Sequence, residues 1–349
     1  MSDPTPSFPI LASPPAQEVW VIRRPRPRWW LYVLFLVLTM FSTTVVGARM
    51  EFNYLRSQST LSLGDDTVDW FPVVSILNHP SNLLRGLPFS LTLMLILFAH
   101  EMGHYLYARH YRVYATPPFF VPFPSLIGTL GAFIRIKSPI PSRAALFDIG
   151  IAGPIAGFIP ASAALVVGLS LSRPIAGRAI SEFQPGFPLA FHLAAQVLHL
   201  HAPLAGLSLH PIAAAAWVGF FATSLNLLPG GQLDGGHILY SVSPRLHRIV
   251  TLVTVFALVP LGKYLWMGWF LWAMMLAMTG NHPRVPRYPN VAGSRRGIAL
   301  CGVLMLALSF TPAPFTHSSG KEAWPEIRDG ARDTLQELRY EVQRALHRK

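Results

Sequence analysis

Residues 95–110 read LILFAHEMGHYLYARH, an apolar helical segment that ends in a group of ionisable side chains. His100 and His104 are four residues apart, so they lie one above the other on the same face of a helix. Imidazole nitrogen is a common zinc ligand, and Glu101 is suitably placed to act as general base on a water molecule. Ionisable groups in a spanning segment cost about 2.5–3.5 kcal/mol each, and a bound metal would compensate them. The segment predicts a metal site in a membrane helix; the alternative is that these groups are hydrated at the membrane edge.

The composition of the 349-residue chain is that of a membrane protein. Hydrophobic residues make up 52% of the chain and charged residues 13%, against roughly 25% charged residues in soluble proteins. The net charge of +12 comes from short basic groups beside apolar segments, a pattern typical of cytoplasmic loops and of contacts with anionic lipid. We therefore expect a lipid bilayer as partner and no nucleic acid. Cys301 is the single cysteine, which excludes an intramolecular disulfide.

The apolar runs predict an all-α polytopic membrane protein with about six to seven transmembrane helices. Residues 1–28 are predicted to be a disordered arm rich in proline and arginine, 29–313 a transmembrane domain with its core at 85–240, and 314–349 an amphipathic tail. The predicted spans are 29–46, 86–108, 145–170, 209–228 and 297–312, with a weak helix in 187–205. Two short helices are expected in 249–279, divided at Pro260, Gly262 and Lys263. The arginine distribution places the arm and residues 109–144 in the cytoplasm. A multi-pass protein of the cell (inner) membrane is expected, with its active site toward the cytoplasm.

A second motif follows the fourth predicted span, where residues 224–240 read SLNLLPGGQLDGGHILY. Asp234 lies there among prolines and glycines that interrupt the helix. Broken backbone at membrane depth is tolerated where it is buried in protein or lines a cavity. Because a catalytic zinc needs a third protein ligand besides two histidines, Asp234 is a candidate for that ligand. The alternative is that Asp234 caps a helix beside a loop.

Together, HEMGH at 100–104 and NLLPGGQLDGGH at 226–237 resemble the site-2 protease family of intramembrane metalloproteases. The segment between them, residues 128–158, is also similar, and the likeness is greatest to the branch without an inserted PDZ domain. The resemblance implies one Zn²⁺ per chain, held by His100, His104 and Asp234, with Glu101 activating water. Asn226 matches an asparagine of the second motif. It is expected either to assist catalysis at the oxyanion or substrate backbone, or to satisfy a helix end.

Residues 128–136 alternate between apolar and basic side chains after two glycines, which predicts a small β-hairpin. A substrate helix must unwind before it is cut, and a strand edge beside the site can hold the unwound segment by β-augmentation. We expect this hairpin to be associated with the membrane, as in the related proteases; the alternative is a plain cytoplasmic hairpin. The four-residue spacing of Gly153 and Gly157 predicts close helix packing.

Five other histidines are not expected to bind the metal. His237 is predicted to be either an outer partner of the site or a residue that lines it. Four histidines lack carboxylate neighbours and are expected on the outer surface: His192, His199, His201 and His210.

The predicted function is hydrolysis of peptide bonds in or near the transmembrane helices of membrane-protein substrates, as in regulated intramembrane proteolysis. One alternative is a metal-ion transporter, which is expected to carry further carboxylates in several spans. Another is a catalytically silent membrane scaffold of the same fold, which is expected to have lost motif residues.

Overall fold

The computed structural model describes residues 28–61, 79–175, 185–280, 282–289 and 291–315. The predicted arm and tail lie outside these ranges, apart from residues 28, 314 and 315. The helices are α1 (Trp29–Leu55), α2 (Leu87–His110), α3 (Arg143–Leu171), α4 (Leu189–Val197), α5 (Pro211–Asn226), α6 (Asp234–Val242), α7 (Pro244–Tyr264), α8 (Gly268–Thr279) and α9 (Arg295–Ser309). A 3₁₀ turn (Pro80–Gly86) leads directly into α2. The strands are β1 (Phe119–Pro122), β2 (Thr129–Phe133), β3 (Arg173–Pro174) and β4 (Leu207–Ser208).

Four of these helices are long and apolar enough to cross a membrane: α1, α2 with its preceding turn, α3 and α7. Helices α5 and α8 are apolar but shorter, with 16 and 12 residues. The chain is an integral membrane protein with a mostly helical fold, which confirms the predicted class. The number of spans, six to seven, stays a prediction.

Two helix boundaries differ from the prediction. Helix α1 continues to Leu55, nine residues beyond the apolar run, because its polar last turns pack against protein. Met50 is fully buried there, and the hydroxyl of Tyr54 donates to the carbonyl oxygen of Leu171 at 2.6 Å. The region 249–279 does form two helices, but the break falls at residues 265–267. Pro260 lies inside α7, a position that membrane helices tolerate.

Helix α5 forms the centre of the helical bundle. Four successive alanines, Ala213–Ala216, have no exposed surface, and their small side chains allow neighbouring backbones to approach. A Cβ added at Gly168 of α3 would lie 2.2 Å from the backbone nitrogen of Ala213. Helix α3 packs along both α2 and α5. This packing brings the ends of the two motif helices to the same part of the molecule.

The predicted hairpin is present as an antiparallel pair of β1 and β2, with Phe119 opposite Phe133. Its β1 side lies against α1, where the ring of Phe119 contacts those of Tyr32 and Phe35 at centroid distances of 5.8 and 4.8 Å. The turn is fixed to the same helix, because Ser42 Oγ donates to the carbonyl oxygen of Gly128 at 2.6 Å. Helix α1 therefore holds β1, and β2 is the strand nearer to the α2 motif.

Candidate active site and metal centre

The structure brings the three predicted ligands together. His100 and His104 lie in the last three turns of α2, and Asp234 is the first residue of α6. The Nε2 atoms of the two histidines are 3.1 Å apart, and each is 3.2 Å from Oδ2 of Asp234. The ligand atoms of these three residues form a group that could hold a metal ion.

The dimensions of this group fit zinc. Tetrahedral zinc with bonds of about 2.0–2.1 Å has ligand atoms about 3.3 Å apart, close to the 3.1–3.2 Å edges seen here. Oδ2 of Asp234 is buried, and within the described residues no group donates a well-aligned hydrogen bond to it. Such an unsatisfied carboxylate oxygen is costly unless a cation neutralises it. Two imidazoles and a carboxylate are also a donor set that zinc accepts.

The second ring nitrogen of His104 explains why its Nε2 is available to a metal. Nδ1 lies 2.7 Å from the carbonyl oxygen of Ile149 on α3. A carbonyl oxygen accepts hydrogen bonds and cannot donate, so Nδ1 carries the proton and Nε2 carries the lone pair in the neutral ring. Backbone carbonyls commonly orient metal-binding histidines in this way.

Glycines of α3 provide the space for the two histidine rings. A Cβ added at Gly153 would lie 2.1 Å from Nε2 of His104, and one added at Gly157 would lie 2.9 Å from Cβ of His100. The predicted role of these glycines in close packing is therefore confirmed. The atoms that they accommodate belong to the proposed ligands themselves.

The broken segment between α5 and α6 positions Asp234. Gly231 has a φ of +57°, in the left-handed region that favours glycine. His247 of α7 holds this turn, because its Nε2 lies 2.9 Å from the carbonyl oxygen of Gly231. A Cβ at Gly235 would lie 2.2 Å from the carbonyl oxygen of Leu227. The chain can therefore double back from α5 into α6 only with glycine at these places.

A cavity of about 250 Å³ opens beside the three ligand residues. Its wall includes Glu101, which is 6% exposed, and Asn226, whose Nδ2 lies 3.4 Å from Nε2 of His100. The strand end of the hairpin contributes Phe133 and Ile134. All the predicted site residues thus meet at one cavity.

Of the four histidines predicted to lie on the outer surface, three are exposed, and the prediction is wrong for His210, which is partly buried. His192, His199 and His201 are exposed, and the described residues contain no metal-binding group besides the one above. His210 caps α5, with its Nδ1 accepting from the N–H of Ile212 at 3.3 Å. The sequence reasoning missed His282, which contacts His237 at the cavity wall. No spacing rule connects two residues that are 45 positions apart, so the sequence offered no signal for this pair.

Comparison with known proteins agrees with the geometry. Residues 88–261 match the family model described as Peptidase family M50. The probable zinc metalloprotease EGY1, chloroplastic, of Oryza sativa subsp. japonica is 29% identical over 302 residues, which cover 81% of this chain and 51% of that protein. The probable zinc metalloprotease EGY2, chloroplastic, of Arabidopsis thaliana is 30% identical over 259 residues, 72% of this chain and 46% of that protein. The chain spans about half the length of the curated relatives it matches. It belongs to peptidase family M50, the site-2 protease family.

Proposed function

We propose that the chain is a zinc metalloprotease that hydrolyses peptide bonds in or near the transmembrane helices of membrane-protein substrates. The observation that carries the proposal is the 3.1–3.2 Å triangle of donor atoms from His100, His104 and Asp234. The names of the rice and Arabidopsis relatives, which are zinc metalloproteases, support the same activity.

Each residue of the site has a proposed role. His100, His104 and Asp234 hold one zinc ion, which when bound supplies a Lewis acid for the scissile carbonyl and acidifies water. Glu101 takes the proton of the attacking water and passes it to the leaving amine. Asn226 donates a hydrogen bond from its side-chain amide to the developing oxyanion. The buried position of Glu101 in the cavity favours this chemistry over ion transport, which would not need it.

The hairpin offers an edge on which an unwound substrate segment could be held. The carbonyl oxygen of Arg135 and the N–H of Lys137 bond to residues 116 and 114. In an antiparallel ladder, alternate residues face opposite sides, so the backbone groups of Ile136 face away from that partner, and the N–H of Ile134 is directed at the carboxylate of Glu101. Both residues line the cavity. A substrate in extended conformation would pair with this edge by β-augmentation.

The orientation in the membrane is also a proposal. The site lies at the C-terminal end of α2, whose last turn carries Arg109 and which is followed by Arg112, and basic residues are retained on the cytoplasmic side. Cleavage toward the cytoplasmic face of the cell membrane would release a cytoplasmic fragment of the substrate.

The test is to express single-span candidate substrates with wild-type protein and with Glu101→Gln. We expect cleavage by the wild type, none by Glu101→Gln, and one zinc per chain in both purified proteins. Asp234→Ala serves as the second variant and is expected to lose zinc. Equal processing by Glu101→Gln would overturn the role of the general base. Zinc flux into liposomes that survives Glu101→Gln, without cleavage, would support transport instead.

A further inference from the structure

His237 is a cavity residue to which the proposed chemistry gives no role. It lies on α6, one turn after Asp234, and contributes to the cavity wall. Its Nδ1 is 2.8 Å from Nε2 of His282, which follows α8. His282 lies outside residues 88–261, the part of the chain that matches the family model. A residue from the C-terminal part of the chain thus contacts a residue of the cavity wall.

His282 is held firmly in this position. Its ring stacks on that of Tyr240 with a centroid distance of 3.9 Å and an interplanar angle of 15°. Its Nδ1 lies 2.7 Å from the carbonyl oxygen of Pro283. The ring of His237 meets it edge-on, at 90°. These contacts fix both the place of His282 and the direction of its Nε2.

The hydrogen-bond partners decide which nitrogens carry protons. The carbonyl oxygen of Pro283 only accepts, so Nδ1 of His282 is protonated. Burial lowers the pKa of His282, so the ring is neutral near pH 7 and its Nε2 holds a lone pair. Nδ1 of His237 must then donate to that lone pair. Nε2 of a neutral His237 is left unprotonated, and it is the ring nitrogen that remains for a ligand in the cavity.

We propose that His282 is a positioning residue that fixes His237 as a hydrogen-bond acceptor for a backbone N–H of the substrate. The proposal rests on the proteolytic function proposed above. An unwound segment inside a membrane protein must find partners for its backbone N–H groups, because each unsatisfied group is costly. His100, His104 and Asp234 are committed to the metal in that function. His237 is a neutral acceptor beside them.

The first test measures the ring protonation directly by nitrogen-15 NMR of the histidine side chains in zinc-loaded, full-length protein. We expect protonated Nδ1 and unprotonated Nε2 for His237, whose signals are assigned by their loss in His237→Gln. His282→Ala should convert His237 to a mixture of tautomers. His282→Gln should restore the wild-type tautomer, because the amide oxygen can replace the lost acceptor. His192→Ala, at an exposed histidine of α4, is the matched control and should change nothing.

The second test measures cleavage of a panel of synthetic single-span peptides in detergent micelles. A contact that is present in both the bound state and the transition state affects KM more than kcat. His282→Ala and His237→Ala should each raise KM about tenfold, the effect of one lost hydrogen bond, with zinc content and kcat retained. His282→Gln should recover most of the loss.

The outcomes separate this inference from the proposed function. A wild-type His237 protonated at Nε2, or a tautomer that His282→Ala leaves unchanged, would overturn the positioning role. A changed tautomer with unchanged KM would overturn the substrate contact. If the zinc-loaded wild type cut none of the peptides, the proteolytic function would fail and the substrate role of His237 with it, whatever the tautomer.

Discussion

Replacing Gly153 by alanine is expected to abolish tight zinc binding, although position 153 contributes no ligand atom. The added Cβ would lie 2.1 Å from Nε2 of His104 and 2.4–2.5 Å from two ring carbons. An ordinary contact is at least 3.4 Å, so the ring or the helix must move by about 1.3 Å, whereas metal–ligand bonds tolerate about 0.2 Å. The hydrogen bond from Nδ1 to the carbonyl oxygen of Ile149 prevents a simple rotation of the ring. We expect the zinc dissociation constant to rise more than about 100-fold, since changes next to the ligands alone cost 10–100-fold.

Helix propensity predicts the opposite result, which makes the experiment decisive. Alanine is favoured over glycine in a helix interior by about 1 kcal/mol, so Gly153→Ala would stabilise the protein if only propensity mattered. Two matched variants give smaller expected changes in the zinc dissociation constant, for comparison with Gly153→Ala. Gly157→Ala places its Cβ 2.9 Å from Cβ of His100, and Gly297→Ala of α9 meets nothing within 4 Å.

The assay is competition for zinc with a fluorescent chelator on detergent-purified protein, with helicity monitored by circular dichroism. The dissociation constant should increase in the order Gly297→Ala, Gly157→Ala, Gly153→Ala, with the first equal to wild type. Wild-type zinc affinity in a helical Gly153→Ala protein would refute the reasoning. If Gly153→Ala does not fold, the milder Gly157→Ala still tests the reasoning, because the reasoning requires it to bind zinc more weakly than Gly297→Ala.

Two further predictions concern the edge strand and the anchoring of α9. Ile136→Pro removes an N–H that faces away from the partner segment. Cleavage of the peptide panel should therefore fall at least about tenfold, while zinc content and the unfolding temperature are retained. Lys137→Pro is the control: it removes the N–H bonded to residue 114 and should instead lower the unfolding temperature. Asp148→Asn weakens the pair in which Arg295 donates from Nε and Nη2 at 2.8 and 2.7 Å, and should lower the free energy of unfolding by about 2 kcal/mol without changing zinc content. Unchanged stability in titration with denaturant would show that this partly exposed pair is dispensable.

The sequence was most informative where chemistry depends on short spacing. His100 and His104 share a helix face because they are four residues apart, and no tertiary information is needed for that. Asp234 was identifiable because a carboxylate in a broken helix at membrane depth needs a partner. Both predictions concern groups whose burial has a high free-energy cost. Their meeting at 3.1–3.2 Å is what the structure adds.

The orienting partners of the site were beyond sequence reasoning. The carbonyl oxygen of Ile149 and the ring of His282 act through their positions in space. Every residue has a carbonyl, so no residue type marks the one at position 149. His282 depends on the return of the chain after α8 to the start of α3, where backbone bonds join Arg143 to Pro286 and Ala144 to Pro289. The path of this returning segment is set by tertiary packing, which local sequence patterns do not encode.

Helix α3 shows how a packing feature becomes part of a chemical site. Gly150, Gly153 and Gly157 share one face of the helix through their spacing of three and four residues. A Cβ at these positions would meet His237 at 3.2 Å, His104 at 2.1 Å and His100 at 2.9 Å. This glycine face of α3 therefore accommodates two of the proposed ligands and the proposed substrate acceptor. Substitutions along it should alter zinc binding and KM before they alter the fold, because the atoms they displace first belong to the site.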